Sequence, residues 1–106
     1  MAESRSIVVF VGTAVAFDHY VRELAEQAYR FDPGQQRATL GANGARWEIG
    51  NTWYIRVGER GTQGLRGLTG PAQLVVSVTA TTRQLQMMPE IEHHIAIMNA
   101  TTGEPR

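Results

Sequence analysis

An unbroken apolar run near the start of the chain constrains the fold more than any other feature. Ile7 to Val11 are all β-branched or aromatic, and Gly12 closes the run. A strand without apolar–polar alternation is typical of a parallel sheet that is covered on both faces. The next residues carry an apolar stripe at helical spacing from Phe17 to Ala28, and Asp32-Pro33-Gly34 predicts the end of that helix. A strand that leads directly into a covering helix predicts an α/β domain.

The middle of the chain alternates instead. Trp47 and Trp53 each stand in a run where apolar and polar residues alternate, and Gly50-Asn51 separates the two runs. A period of two predicts strands with one covered face and one face toward solvent. We therefore expect a β-meander over residues 37–57, with both tryptophans packed on the covered face. Tyr54 then lies on the opposite face from Trp53, where it is available for an exposed contact.

The second half of the chain repeats the opening pattern. Leu74 to Thr79 form another largely unbroken β-branched run, which predicts a second central strand. Thr81 or Thr82 is placed to cap a following helix. Pro89 interrupts that helical pattern, and predicts either a kink or a fresh helix with the proline in its first turn.

Together these elements predict one α/β domain over residues 1–106. We expect a mixed sheet with a central β-hairpin or meander and two helices. The polar ends, residues 1–6 and 100–106, are expected to be frayed. No apolar run is long enough for a membrane span or a signal-peptide core, so we expect a cytoplasmic protein without a membrane partner.

The composition removes most enzyme classes. The 106 residues include no cysteine, and all ten basic residues are arginines, balanced by ten acidic residues. Thiol catalysis, Schiff-base chemistry and the lysine of a phosphate-binding P-loop are therefore excluded. His93 and His94 are adjacent, so on a helix they project about 100° apart and cannot chelate one metal ion together. We expect no catalytic residue, no metal and no cofactor.

A glycine-rich segment at residues 58–71 supports two alternatives. It holds five glycines in 14 positions together with two arginines, and a third arginine precedes it on the predicted strand. One interpretation is a solvated surface loop. The other is a contact with a nucleotide phosphate or a nucleic-acid backbone, through glycine amides and guanidinium groups. The candidate residues for this contact are Arg56, Arg60, Arg66, Gly61, Gly64, Gly67 and Tyr54.

The second predicted helix is rich in methionine. Met87, Met88 and Met98 are either core-filling residues or an adaptable surface for a protein partner. With no catalytic constellation elsewhere, the preferred hypothesis is a protein–protein contact, with another protein or with a second copy of the chain.

Three phrases of the sequence resemble a known family. They are IVVFVGTAVAFDHYVRELAEQ, GARWEIGNTWYIRVGERG and LRGLTGPAQLVV, and in this order they span about residues 6–80. This stretch resembles part of the ATPase domain of the large terminase subunit, which packages DNA in tailed phages. The family's Walker A loop has no counterpart here, and Val78-Thr79 stand where the family carries an acidic pair. The resemblance therefore implies a truncated, catalytically silent, phage-encoded relative in the cytoplasm of a bacterial host.

Overall fold

The computed structural model describes residues 6–31, 38–40, 46–59, 62–65 and 68–101. Its strands form one five-stranded sheet in the order β2-β3-β4-β1-β5. The elements in chain order are β1 Ser6–Val11, α1 Ala14–Phe31, β2 Ala38–Leu40, β3 Arg46–Ile49, β4 Thr52–Val57, a 3-10 turn Gln63–Leu65, β5 Ala72–Val76, α2 Thr82–Gln86 and α3 Met88–Thr101. The predicted mixed α/β fold is confirmed. The second predicted helix forms as two helices, α2 and α3.

Strand β1 lies inside the sheet and is covered on both faces, and its unbroken apolar run predicts this cover. It pairs in parallel with β4 on one side and with β5 on the other. All five residues from Ile7 to Val11 are buried. Because successive side chains of a strand point to opposite faces, this one strand contributes to two cores.

The two faces of the sheet are covered by different helices. On one face, Ile7, Val9 and Val11 pack in a cluster that includes Ile91 and Met98 of α3. We call this the α3 face. On the other, the α1 face, Phe10 packs with residues of α1. The cluster on the α1 face is built on Phe10, Phe17 and Val21, with Ala16, Tyr20, Trp47, Tyr54 and Val75 packed against it.

The β3–β4 hairpin corrects one prediction. Gly50 and Asn51 form its two-residue turn, and Gly50 has a positive φ of 60°. This turn pairs Trp47 with Tyr54 rather than with Trp53. Cross-strand partners share a face, so Trp47 lies on the α1 face and Trp53 on the α3 face. The expectation that both tryptophans pack on one face is therefore wrong, because the turn shifts the two alternating runs by one residue relative to each other.

Strand β5 corrects a second prediction. The run that suggested a second central strand forms the edge of the sheet, and the strand ends at Val76. Residues 77–80 form a turn instead. Leu74 packs against the core of the α3 face and Val75 against that of the α1 face. An unbroken apolar run therefore indicates that both faces of a strand are covered. It does not indicate whether the strand is paired along both of its edges.

The start of α2 and α3 follows the sequence closely. Thr81 is the N-cap of α2, and it forms a capping box with Gln84. Pro89 is the second residue of α3, so the predicted fresh helix is confirmed. In the described part of the chain, no helix combines the length and apolar character that a membrane crossing needs.

The close approach at Gly12 yields a stability prediction. A Cβ atom added there would lie 2.8 Å from Phe10 Cε1 and 2.8 Å from the Cβ of Ser77. Gly12→Ala should therefore lower the free energy of unfolding by about 1–3 kcal/mol, because the Phe10 ring and the turn at Ser77 must shift. Chemical denaturation measures the change. The control is Gly64→Ala, whose Cβ would meet only Ile55 Cγ2, at 3.8 Å; an equal loss in both variants would contradict the close approach.

Candidate functional site

The outward-facing backbone of β5 is the first part of the candidate site. The N–H of Ile7 donates to the carbonyl of Pro71 at 2.9 Å, and the N–H of Ser77 donates to the carbonyl of Val11 at 2.9 Å. The odd-numbered residues of this stretch therefore turn their backbone groups toward β1. The alternate residues, Ala72, Leu74 and Val76, turn theirs away from the sheet.

One of these outward-facing residues already has a partner. Ala72 donates its N–H to Asn99 Oδ1 at 2.8 Å, and Asn99 Nδ2 donates to the carbonyl of Ala72 at 3.3 Å. The asparagine side chain thus pairs with Ala72 as a neighbouring strand would. Among the described residues, none forms a comparable bond to the outward groups of Leu74 or Val76. We call these backbone groups, with the Val76 and Val78 side chains, the outer edge of β5.

The outer edge is apolar as well as unpaired. Val76 is 45% exposed and Val78 is fully exposed at 103%. The strand itself, AQLVV, contains no charged residue and no proline. Natural sheets usually blunt an exposed edge with lysine, proline, a bulge or a very short strand. The five residues of β5 include neither a charged residue nor a proline that would discourage pairing at this edge.

The turn after β5 is fixed by hydroxyl groups. Ser77 Oγ and Thr79 Oγ1 are 2.8 Å apart, and the N–H of Thr79 donates to Ser77 Oγ at 3.0 Å. The N–H of Thr13 donates to Thr79 Oγ1 at 3.2 Å, which ties the turn to the start of α1. Val78 is held between these two anchored residues, so its exposed side chain belongs to an ordered turn. The same bonds link the hydroxyls to each other and to Thr13, and no described histidine or carboxylate bonds to them as a general base would.

Gln84 joins the carboxyl ends of β1 and β4 to α2. Its Nε2 donates to the carbonyls of Gly12 and Val57, both at 2.8 Å, and its Oε1 accepts the N–H of Thr81 at 2.9 Å. The side chain is only 1% exposed, and its hydrogen-bonding groups are all used. Such a buried, satisfied amide fixes the position of the helices that follow β5.

Arg56 lies within this structural network. Its Nη1 donates to the carbonyl of Gly12 at 3.0 Å, and the guanidinium packs next to Gly58. The Nε atom is buried without a hydrogen-bond partner. The guanidinium is therefore engaged by the chain's own backbone at the end of β1, rather than extended toward solvent.

The rest of the predicted phosphate contact is only partly described. Arg60, Arg66, Gly61 and Gly67 lie outside the described residues, and Gly64 is exposed in the 3-10 turn. Two other residues of the segment are buried. Leu65, 1% exposed, packs in the core of the α3 face, and Thr62 Oγ1 donates to Glu90 Oε2 at 3.0 Å. At these residues the segment is packed onto the domain and is not a solvated loop.

Tyr54 packs beneath α1 and is half-buried. The prediction that this residue is available for an exposed contact is therefore wrong. Its ring is 6.1 Å from that of Tyr20, centroid to centroid. Burial raises the pKa of the Tyr54 phenol, and the neighbouring Tyr20 raises that pKa further. Burial also raises the pKa of Tyr20. On the opposite face of the sheet, the guanidinium of Arg46 lies 4.3 Å from the ring centre of Trp53, so the chain itself occupies that aromatic surface.

The methionines lie mostly inside the domain. Met98 is 2% exposed in the core of the α3 face. Met87 and Met88 are half-buried against the same core. Met98 therefore offers no surface to a partner in the folded domain, because the core already encloses its side chain.

The histidines are neighbours without a shared ligand geometry. The rings of His93 and His94 are 6.3 Å apart at 75° to each other. Over the ranges that the structure describes, no three histidine or acidic side chains converge in a way that could hold a metal ion.

Sequence reasoning missed the residues that define the candidate site. By its sequence Asn99 belongs to the polar tail that follows the second predicted helix, and Gln84 is only a helix residue after the predicted cap. The capping-box spacing of Thr81 and Gln84 was a signal for the cap, but not for the bonds to Gly12 and Val57. The contact between Asn99 and Ala72 joins residues 27 apart in sequence, and no local pattern indicates it.

No family model matches this chain, and neither a curated protein nor a solved structure matches it. The resemblance to the large terminase subunit therefore stays a prediction based on the quoted phrases. In the structure, those phrases supply β1, most of α1, the β3–β4 hairpin and β5. Val78 and Thr79 lie in the exposed turn after β5.

Replacing Gln84 tests its structural role. Gln84→Leu introduces an apolar side chain of similar size, and it removes the bonds to Gly12 and Val57 and the bond from Thr81. We expect the free energy of unfolding to fall by about 1–3 kcal/mol, since the carbonyls of Gly12 and Val57 each lose the bond from Gln84, and the Gly12 carbonyl keeps only the bond from Arg56. Gln86→Leu, at an exposed position on the same helix, should change it by less than about 0.5 kcal/mol. Equal effects in thermal or chemical denaturation would refute the role.

The tyrosine pair gives a prediction for alkaline pH. A phenol whose pKa is higher in the folded state stabilises the fold fully below the ordinary tyrosine pKa. That contribution is lost as pH rises through the raised pKa. Tyr20→Phe should lower the pKa of Tyr54 toward its ordinary value, because the neighbouring phenolate is gone. Ultraviolet titration of tyrosinate measures this; an unchanged Tyr54 titration in Tyr20→Phe would show that the two rings are not coupled.

Proposed function

We propose that this chain is a non-catalytic binding domain that engages a protein partner through the outer edge of β5. One observation carries the proposal: the backbone groups of Leu74 and Val76 face away from the sheet at an uncharged edge strand, next to the exposed side chains of Val76 and Val78. A strand from a partner can extend the sheet there through main-chain hydrogen bonds, and its alternate side chains can cover the two valines.

The chemistry of this edge favours protein over nucleic acid. Nucleic-acid contacts depend on cationic groups that meet phosphates. Strand β5 has no charged residue, and Arg56 donates to the carbonyl of Gly12. A main-chain interface needs no charge, and its affinity comes from paired amides and buried apolar area.

The absence of enzymatic activity is part of the same proposal. The hydroxyls of Ser77 and Thr79 support a turn rather than a nucleophile, because they bond to each other and to Thr13. The resemblance to the large terminase subunit adds the expectation that the protein is a catalytically silent, phage-encoded relative. Binding alone then accounts for its role.

Replacing Val76 by proline tests the edge selectively. The N–H of Val76 faces outward, so Val76→Pro removes an edge donor without removing a bond to β1. We expect this variant to fold and to lose at least about tenfold in partner affinity, the equivalent of about 1.4 kcal/mol. Val76→Thr is the control, since it keeps the outward N–H and a β-branched side chain.

The measurement has two stages. Proteins retained from host lysate by the wild-type chain are first compared with those retained by the two variants. A protein that depends on the edge is then purified and titrated against all three chains. Loss with proline and retention with threonine support the edge as the binding site; equal affinity for the proline variant refutes it.

A further inference from the structure

We propose that the partner at the outer edge of β5 is a second copy of this chain, which rests on the proposed function of that edge. The two β5 strands pair antiparallel about a two-fold axis at Val75, and the two sheets join into one ten-stranded sheet. A two-fold axis perpendicular to the strands pairs two identical strands antiparallel, and the same residues contribute from both copies.

Asn99 limits the register at one end of the strand. Its side chain already bonds both the N–H and the carbonyl of Ala72, so Ala72 is closed to a neighbouring strand. The turn after β5 ends the strand at Val76. Only Leu74 and Val76 therefore have both outward groups open for pairing.

These two residues are self-complementary in one register. In an antiparallel ladder, residues with facing backbone groups exchange two hydrogen bonds. With the axis at Val75, Leu74 pairs with Val76 of the second copy, and Val76 pairs with Leu74 of that copy. Two such pairs use every open backbone group of both edges. An axis at Leu74 would oppose Val76 to the closed Ala72, and an axis at Val76 would oppose Leu74 to Val78 in the turn.

The side chains agree with this register. The Leu74 side chain lies on the α3 face. Val76 is two residues further along the strand, so its side chain lies on the same face. Each exposed Val76 then lies beside Leu74 of the second copy, which removes apolar surface from water. The strand carries no charge, so no like charges oppose each other across the axis. The zero net charge of the chain leaves no overall repulsion between two copies.

A cysteine at the axis tests this register directly, because the natural chain has no cysteine. Val75 opposes itself as a non-hydrogen-bonded pair, where the Cα atoms lie about 4.5 Å apart. That separation is within the range for a disulfide. Val75→Cys should therefore form a covalent dimer under mild oxidation. The control is Gln73→Cys on the same strand, since two copies of residue 73 lie about 13 Å apart in this register.

The mass of the unmodified chain is measured over a concentration series by sedimentation or light scattering. We expect a shift from the 11.7 kDa chain to twice that mass, and its loss in Val76→Pro but not in Val76→Thr. A dimer that persists in the proline variant, or one that crosslinks through Gln73→Cys instead, overturns the proposal.

A different result separates this inference from the proposed function. If the chain stays monomeric at every concentration and Val75→Cys does not crosslink, self-pairing is overturned. The binding role of the edge stands in that case if a different protein is retained in a proline-sensitive way. If no protein of either kind is retained, both proposals fail.

Discussion

Strand β1 forms parallel ladders along both of its edges, and all five residues from Ile7 to Val11 are buried. The rest of the sheet extends outward from that double pairing. The side chains of β1 on the two faces pack in the cores beneath α1 and α3. At the carboxyl end of β1, the carbonyl of Gly12 accepts hydrogen bonds from Gln84 and Arg56. On one side β1 pairs with β4, and the β3–β4 hairpin extends the sheet in that direction. On the other side β1 pairs with β5, which is the last strand of the sheet.

The open edge is thus a consequence of topology, and the local structure keeps it accessible. Asn99 closes the edge at Ala72 but reaches no further along the strand. The hydroxyl network of Thr13, Ser77 and Thr79 ends the strand in a fixed turn. Between these two limits, Leu74 and Val76 present backbone groups that a further strand can use. A short, apolar edge that is held by fixed contacts at both ends suits main-chain pairing with another strand.

The sequence predicts the elements well, because each has a local cause. The run at Ile7 to Val11, the stripe of α1 and the start of α3 at Pro89 can be read from neighbouring residues. The order of the strands cannot be read in this way. Leu74 and Val75 are apolar because both faces of the sheet are covered, and this holds for an edge strand as much as for a central one. The faces of Trp47 and Trp53 depend on the turn at Gly50, which sets the pairing register. The closure of Ala72 by Asn99 depends on a contact between distant residues.

If the outer edge of β5 is an interface, its outward amides are paired in the protein in solution. Hydrogen exchange at Leu74 and Val76, followed residue by residue at high protein concentration, measures this. We expect both amides to exchange nearly as slowly as the Val75 amide, which faces β1, and we expect dilution to speed up exchange only at Leu74 and Val76. Fast exchange at Leu74 and Val76 at every concentration, at the rate of the exposed turn residue Val78, would contradict it.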